Sequence, residues 1–487
     1  MSRTVHPALL LAMLMLASLA LRVGTLQSGY WIDEGIAVGI ASHDLAEIPG
    51  ILSQDGNPPL YYVVLHGWME LFGAGEAATR ALSLLFALLA IPAAFWAGSA
   101  VFDRRAGVLA AAGAAGSPFL TYYAQETRMY SLVVLLSILA SASFALAFVR
   151  GRRAHVVWLG VWLGLLLYTH TWGIFLVAAM AVVWLVLWRR GHVGGADGVR
   201  LAVVLALLYA PWLPSVLFQA ANTAAPWAER PSPALLLGVP GSLFGYVALP
   251  LLALAVFFAL RTRPPLDRAV AALAAIGAGT AALAWLVSQV EPAWATRYLA
   301  VVMGPLLLAL ASVVARGRRW TFVALAGVAV VWVMSGPPPI KSNVRTVSTG
   351  IAPAIRPGDL VISTQPEQVP ALYRYLPEGV EYRTPMGPVS DPRQTDWRDG
   401  LERLQAGTAT RQLLPVLRRM RPGQRVLLVT PLEPDRLSQA PWSRAVRQRT
   451  REWRAALGGS PEVRKIGGYS TIPLPKNTVV AELYEIT

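Results

Sequence analysis

From Leu9 to Met334 the chain alternates long apolar stretches with short polar breaks, and after about Ile340 it turns to mixed sequence with ordinary charge density. Apolar stretches at residues 8–24, 79–100, 106–121, 128–149, 155–169, 172–188, 200–217, 242–260, 268–288, 297–315 and 319–336 predict eleven membrane-spanning helices. A further stretch, Pro58 to Phe72, is short for a span and carries His66 and Glu70. Past Met334 the pattern shortens. Asp359-Leu-Val-Ile-Ser363, Arg425-Val-Leu-Leu-Val-Thr430 and Thr478-Val-Val-Ala-Glu-Leu-Tyr-Glu485 read as strands, and 366–376, 396–420 and 440–457 as helices. Strands alternating with helices predict a small α/β domain over 339–487. It follows a mostly α, polytopic membrane region over 1–338 through the stiff Pro337-Pro-Pro339.

Arginine placement orients these spans. If residues 58–72 do not cross, then Asp103-Arg-Arg105, Arg150-Gly-Arg-Arg153, Trp188-Arg-Arg190, Arg261-Thr-Arg263 and Arg316-Gly-Arg-Arg319 all fall on one side, which the positive-inside rule makes cytoplasmic. We therefore read 58–72 as an interfacial helix inside a first external loop, 25–78. The segment 122–128, the loops 218–241 and 289–296 and the tail after 337 then share the extracytoplasmic side of a bacterial-type plasma membrane. The first apolar stretch contains Ala17-Ser-Leu-Ala20, which resembles a cleavage site, but it reads better as an anchor that orders the loop behind it.

Composition sharpens this picture. The chain is 55% hydrophobic and 14% charged, against about 25% charged for an ordinary soluble domain. Its net charge of +15 does not indicate nucleic acid, because the arginines bunch between apolar stretches rather than along one face. With no cysteine, disulfides and thiolate metal sites are excluded.

The first external loop is the exception to the basic balance. Between Val23 and Thr79 lie Asp33, Glu34, Asp44, Glu47, Asp55, Glu70 and Glu76, with no lysine or arginine. Such a loop repels anions unless a cation from elsewhere compensates. Asp33 and Glu34, in Trp31-Ile-Asp33-Glu34-Gly35, stand just after the first span, where a carboxylate reaches both a lipid-linked donor and a water-borne acceptor. Transfer to a hydroxyl needs a general base, for which Asp33 is the first candidate and Glu34 the second. An aspartate capping a helix over 36–46 is the plainer explanation.

Other features join it. Asp55-Gly-Asn-Pro-Pro-Leu-Tyr-Tyr62 starts a helix with prolines and sets Tyr61 and Tyr62 at the interface. In Tyr122-Tyr-Ala-Gln-Glu126-Thr-Arg128-Met-Tyr130, charges in a tight turn at a membrane edge call for pairing or use. Either Glu126 and Arg128 satisfy each other, or Glu126 positions acceptor or Asp33 while Arg128 offsets the acidic loop. Glu291-Pro-Ala-Trp-Ala-Thr-Arg297-Tyr298 puts an arginine at the external start of a span, which suggests an anionic ligand such as a carrier phosphate; the plainer role is snorkelling to headgroups. His170, in Tyr168-Thr-His170-Thr-Trp172, is a hydrogen-bond donor to the same cavity or a junction residue satisfying backbone. No histidine pair at metal spacing and no phosphate-cradling glycine loop occurs.

Taken in order, Asp33-Glu34, Asp55-x-x-Pro-Pro-Leu-Tyr-Tyr62, Tyr123-Ala-Gln-Glu126-x-Arg128-Met-Tyr130 and Arg297-Tyr298 resemble the protein O-mannosyltransferase and aminoarabinose transferase group of GT-C glycosyltransferases, over roughly residues 5–335. The resemblance implies inverting transfer from a polyprenyl-phosphate sugar, with Asp33 at the catalytic aspartate, Glu126 at its partner acid, and interfacial helices in the first loop. Tyr130, Arg128, Arg297 and Tyr298 would then line the substrate site, together with Asp55, Tyr61, Tyr62 and His170. Some relatives bind a divalent cation near this loop, and whether one binds here stays open, with no other cofactor implied. The expected partners are a polyprenyl-phosphate sugar (mannose, arabinose, glucose or aminoarabinose), a glycan, glycolipid or protein acceptor, and membrane lipid. A transporter or flippase of a lipid-linked sugar is the competing expectation, although the chain shows no clear internal repeat. For the tail, acceptor binding, capping of the site or plain support are expected, with 442–454 touching lipid or acidic glycan.

Overall fold

The computed structural model describes residues 6–223, 225–261, 267–432, 438–472, 474 and 477–487. The first apolar stretch forms α1 (Pro7–Arg22), and the acidic loop folds into α2 (Ile32–Ala41), α3 (Ile48–Asp55) and α4 (Leu60–Phe72). The expected helix over 58–72 is therefore present as α4. There follow α5 (Glu76–Val101), α6 (Arg104–Gly116), α7 (Pro118–Tyr123) and α8 (Tyr130–Phe144), which a π turn extends to Val149. Next come α9 (His155–Leu167), α10 (Gly173–Arg189), α11 (Gly195–Tyr209), α12 (Leu213–Asn222), α13 (Pro233–Leu237), α14 (Val239–Phe244) and α15 (Leu249–Leu260). The bundle closes with α16 (Arg268–Val290), α17 (Ala300–Ala315) and α18 (Arg319–Met334), α17 being led in by a 3-10 turn, Thr296–Leu299.

Among the described residues, four helices are long and apolar enough to cross a bilayer: Glu76–Val101, Tyr130–Val149, Arg268–Val290 and Thr296–Ala315. A fifth counts if α11 and α12, bent by 70°, form one broken span. This is fewer than the eleven that hydropathy suggested, for local reasons. At about 1.5 Å per residue, the 13 residues of α9 reach about 20 Å, short of a hydrocarbon core of about 30 Å. Pro118 divides the expected 106–121 stretch, with the Ser117 hydroxyl accepting from the Leu120 amide at 3.4 Å to start a new helix. Gly245, at φ 86°, interrupts 242–260 in a left-handed conformation that a side chain resists. Of the arginine runs, Thr262 and Arg263 lie outside the described residues.

The tail is α/β, as expected. Its six strands, β1 (Leu360–Ser363), β2 (Glu381–Thr384), β3 (Gly387–Pro388), β4 (Arg425–Pro431), β5 (Val463–Tyr469) and β6 (Val479–Ile486), make one mixed sheet in the order β3-β2-β1-β4-β6-β5. β1 runs parallel to β2 and β4, and the other pairs are antiparallel. Alternate strand residues serve opposite faces. Val361, Leu427 and Leu483 pack with α19 (Val344–Ile351) and α20 (Val369–Tyr375). Ile362, Val426 and Tyr484 meet Leu417 of α22 (Leu414–Leu417) and Trp453 of α23 (Pro441–Gly459). The single helix expected at 396–420 is instead α21 (Gly400–Ala406), a π turn and α22. The break falls at Gly407, where a Cβ would lie 1.9 Å from the Pro385 carbonyl oxygen.

The tail sits directly on the helix that carries the Asp-Glu pair. Cβ atoms on Gly35 and Gly39 would lie 2.8 Å from the Ala371 nitrogen and 1.9 Å from the Arg393 carbonyl oxygen, so these two glycines let tail backbone touch α2. Around that contact His43 Nε2 meets Asp391 Oδ2 at 2.6 Å, and the Tyr375 hydroxyl accepts from the Tyr30 amide at 2.8 Å while donating to Glu76 at 2.9 Å.

Candidate active site

Asp33 and Glu34 occupy the first turn of α2, where exposed amides favour negative charge, yet they point into opposite environments. Glu34 is buried. Arg80 of α5 grips it with both arms of the guanidinium, Nε to Oε1 at 2.7 Å and Nη2 to Oε2 at 2.6 Å. The Thr127 amide donates to Oε1 at 2.8 Å, and the Trp31 amide reaches Oε2 at 3.4 Å in a reciprocal cap. Arg80 spends its remaining donors on the carbonyls of Leu26, Ser28 and Gly29. The pair thus ties the loop after α1, the start of α2 and the 124–129 turn into one knot.

Asp33 faces the other way, into a cavity of about 390 Å³ between the membrane helices and the tail. Its Oδ2 lies 3.7 Å from Arg297 Nη1 and has no hydrogen-bond partner among the described residues. Arg297 lies over the rings of Trp227 and Tyr298, at 5.1 and 5.4 Å from their centroids. It sits in the 3-10 turn that leads into α17, a geometry that holds the guanidinium at the helix start.

The 122–130 motif does not close on itself. Glu126 pairs with Lys341 from the segment after Pro337-Pro-Pro339, and Lys341 also lies 4.0 Å above the Tyr122 ring. Burial pushes the Glu126 carboxyl above its usual range, against the opposing pull of Lys341. Its Oε2 has no partner among the described residues. Arg128 turns away, donating to the Tyr62 hydroxyl at 3.1 Å and to the Asp33 carbonyl at 3.4 Å. A self-satisfied Glu126–Arg128 pair is therefore ruled out by geometry.

An aromatic wall completes the floor. His170 is buried with its ring 4.7 Å from Tyr298 and 6.0 Å from Tyr130. The Trp172 amide donates to Nδ1 at 3.1 Å, which leaves the proton of the neutral ring on Nε2. Burial, with Arg128 and Arg297 nearby, pushes the imidazole down to about 3, so it stays neutral.

Asp55, Tyr61 and Tyr62 lie behind this floor. The tyrosines are fully buried rather than at an interface, because α4 packs them inward: the Tyr61 hydroxyl bonds Ser83 at 3.0 Å, and Tyr62 receives Arg128. Asp55 accepts from Asn57 at 2.6 Å, and burial raises its carboxyl to about 6.

Residues 56–214 match the family model described as dolichyl-phosphate-mannose-protein mannosyltransferase. Among solved structures, ArnT from Cupriavidus metallidurans bound to undecaprenyl phosphate superposes with a TM-score of 0.59 at 15% identity, over 97% of each chain. The arabinofuranosyltransferase AftD from Mycobacteria gives 0.57 at 17% identity, over 98% of this chain and 41% of that one. The oligosaccharyltransferase AglB from Archaeoglobus fulgidus, in complex with an inhibitory peptide and a dolichol-phosphate, gives 0.51 at 12% identity, over 86% and 69%. The chain has the GT-C glycosyltransferase fold. No curated protein sequence matches it.

Two cations in this site were not expected from the sequence. Arg80 opens an apolar helix 46 positions from Glu34, and Lys341 sits 215 positions from Glu126. The only available signal was an acidic loop in need of compensation. These partners also bear on a divalent ion. Glu34, Asp33 and Glu126 each already face a basic side chain, and among the described residues no three His, Asp or Glu side chains converge to hold a metal. In the segment 442–454, expected to touch lipid or acidic glycan, α23 turns Trp442 and Trp453 inward and leaves Arg444 and Arg451 exposed.

Proposed function

We propose that this chain is an inverting membrane glycosyltransferase that moves a sugar from a polyprenyl-phosphate donor to a hydroxyl acceptor on the extracytoplasmic side of a bacterial-type plasma membrane. The observation that carries this reading is Asp33, whose Oδ2 lacks a hydrogen bond among the described residues and faces Arg297 at the cavity, while Glu34 beside it is locked by Arg80. In the reaction the acceptor oxygen attacks the anomeric carbon from the face opposite the carrier. Its proton passes to Asp33, and the bond between the anomeric carbon and the phosphate oxygen breaks with its electron pair on the phosphate. Arg297 meets that departing charge, with Lys341 as a second cation at the same floor. Glu126 holds Lys341, Arg128 fixes the backbone under Asp33, and neutral His170 offers its Nε2 proton to a sugar or phosphate oxygen. ArnT bound to undecaprenyl phosphate and AglB with a dolichol-phosphate are neighbours whose ligands support a donor of this class.

The test is transfer in reconstituted membranes given radiolabelled polyprenyl-phosphate mannose, arabinose, glucose or aminoarabinose. Asp33→Asn is expected to lower turnover by about 10²–10⁴-fold with unchanged protein abundance. Undiminished turnover would remove Asp33 from the mechanism. Flux of intact lipid-linked sugar without any transfer would support a flippase instead.

A further inference from the structure

We infer that the cavity in front of Asp33 is a saccharide acceptor site built jointly by the membrane body and the tail, with the part-buried Trp227 and Trp397 as stacking surfaces, Trp442 packed behind them, and Glu367 as the hydroxyl acceptor. This rests on the transferase reading and adds the acceptor class to it. The cavity is about 390 Å³, within the span of small-ligand sites, and tail residues line one side of it as body residues line the other. The tail contributes Trp397 and Trp442, whose ring centroids are 4.8 Å apart at a 47° tilt, and the body contributes Trp31 and Trp227.

Among the polar groups that line the cavity, Glu367 is held in place by its neighbours. Trp442 Nε1 donates to Glu367 Oε1 at 2.9 Å, and the same oxygen accepts from Gln365 at 3.0 Å. The other carboxyl oxygen, Oε2, has no partner among the described residues, although Glu367 is only 6% exposed. A buried carboxylate oxygen left without a donor costs free energy that a ligand hydroxyl recovers. Flat aromatic faces beside a buried acceptor suit a sugar ring, which offers apolar C–H faces and hydroxyl donors together. An acyl chain would leave the Glu367 oxygen unpaired, and a phosphate offers no hydroxyl hydrogen to it once ionised and is drawn instead to Arg297 on the body side. Asp33 lines the same cavity, so a sugar seated there presents hydroxyls to the base.

The test uses the full chain in lipid nanodiscs, with arabinan, mannan and glucan hexasaccharides as probes and saturation-transfer NMR as readout. A serine- and threonine-containing peptide and phosphatidylglycerol vesicles serve as competitors. At least one saccharide is expected to bind, and Trp397→Ala and Glu367→Gln are each expected to weaken it about tenfold. Glu367→Gln preserves shape, so its effect does not depend on refolding of the cavity. The inference is overturned if no saccharide binds, if both variants bind as the parent does, or if the peptide or the vesicles displace the signal. Transfer of label from polyprenyl-phosphate sugar to any membrane or saccharide acceptor is followed in parallel in the parent protein. Saccharide binding without transfer from any donor sinks the transferase reading alone, and transfer without saccharide binding sinks this inference alone.

Discussion

Behind α2 lies a sealed pocket, in front of it an open cavity, and adjacent carboxylates serve one each. In the sealed pocket Glu34 receives two bonds from Arg80 and one each from the Thr127 and Trp31 amides, so its charge is spent on holding three chain segments together. In the open cavity Asp33 has, among the described residues, a single cation at ion-pair distance and no hydrogen bond on Oδ2. Residue type and helix position are nearly the same on both sides. What differs is how many donors the surroundings aim at each oxygen, and that separates a brace from a group free to take a proton.

The comparison breaks most severely at Arg80. Arg80→Ala leaves Glu34 buried and uncompensated, for an expected loss of about 3–5 kcal/mol, and Glu34→Gln strands Arg80 in the same way. Both should fail to accumulate as folded protein in a thermal-shift or protease-resistance assay, whereas Asp33→Asn should match the parent in that assay while losing transfer. If Glu34→Gln folds normally and Asp33→Asn does not, the roles are reversed.

A second break lies at the roof. Gly39→Ala puts a methyl group where the Arg393 carbonyl sits, and overpacking of this kind costs about 1–3 kcal/mol. The expected result is a tail that proteases release more readily, with unchanged resistance of the membrane helices. Equal resistance in variant and parent would show that the tail does not depend on this contact.

Asp55 sharpens the comparison by lying in neither environment. Its folded value of about 6 stands above the ordinary 3.8 because burial outweighs the help of Asn57 and Arg128, and Asp33 adds to the rise. A raised carboxyl favours the folded state fully below the ordinary value, and that contribution fades as pH climbs through the folded value. Asp55→Asn should therefore gain on the parent between pH 4.5 and 8, by about 1–3 kcal/mol in thermal unfolding. A gap that does not change with pH would contradict the assignment.

Much of the site was legible because its members carry local signals. An acid pair after an apolar helix, a charged turn between two others and an arginine at a span start each stand out against apolar sequence, and α2, the 124–129 turn and the start of α17 do converge. The tail strands β1, β4 and β6 were legible as apolar runs. By contrast β5 is almost wholly exposed and contains Gly467 and Gly468, so no apolar alternation marked it. The strands β2 and β3 are short, with β3 at the sheet edge, and their pairing is set by neighbours rather than by pattern.

The sequence by itself determined that the chain is a body of apolar helices with an acidic loop and an α/β tail, because hydropathy and period are local properties of the chain. Only the tertiary structure decided which acid is which. Arg80, Lys341 and Arg297 reach their partners from far along the chain, and a carboxylate's role depends on the donors that folding brings to each of its oxygens. The same holds for the cavity, whose tryptophans come from both sides of the Pro337-Pro-Pro339 segment and meet only when Gly35 and Gly39 let the tail close on α2.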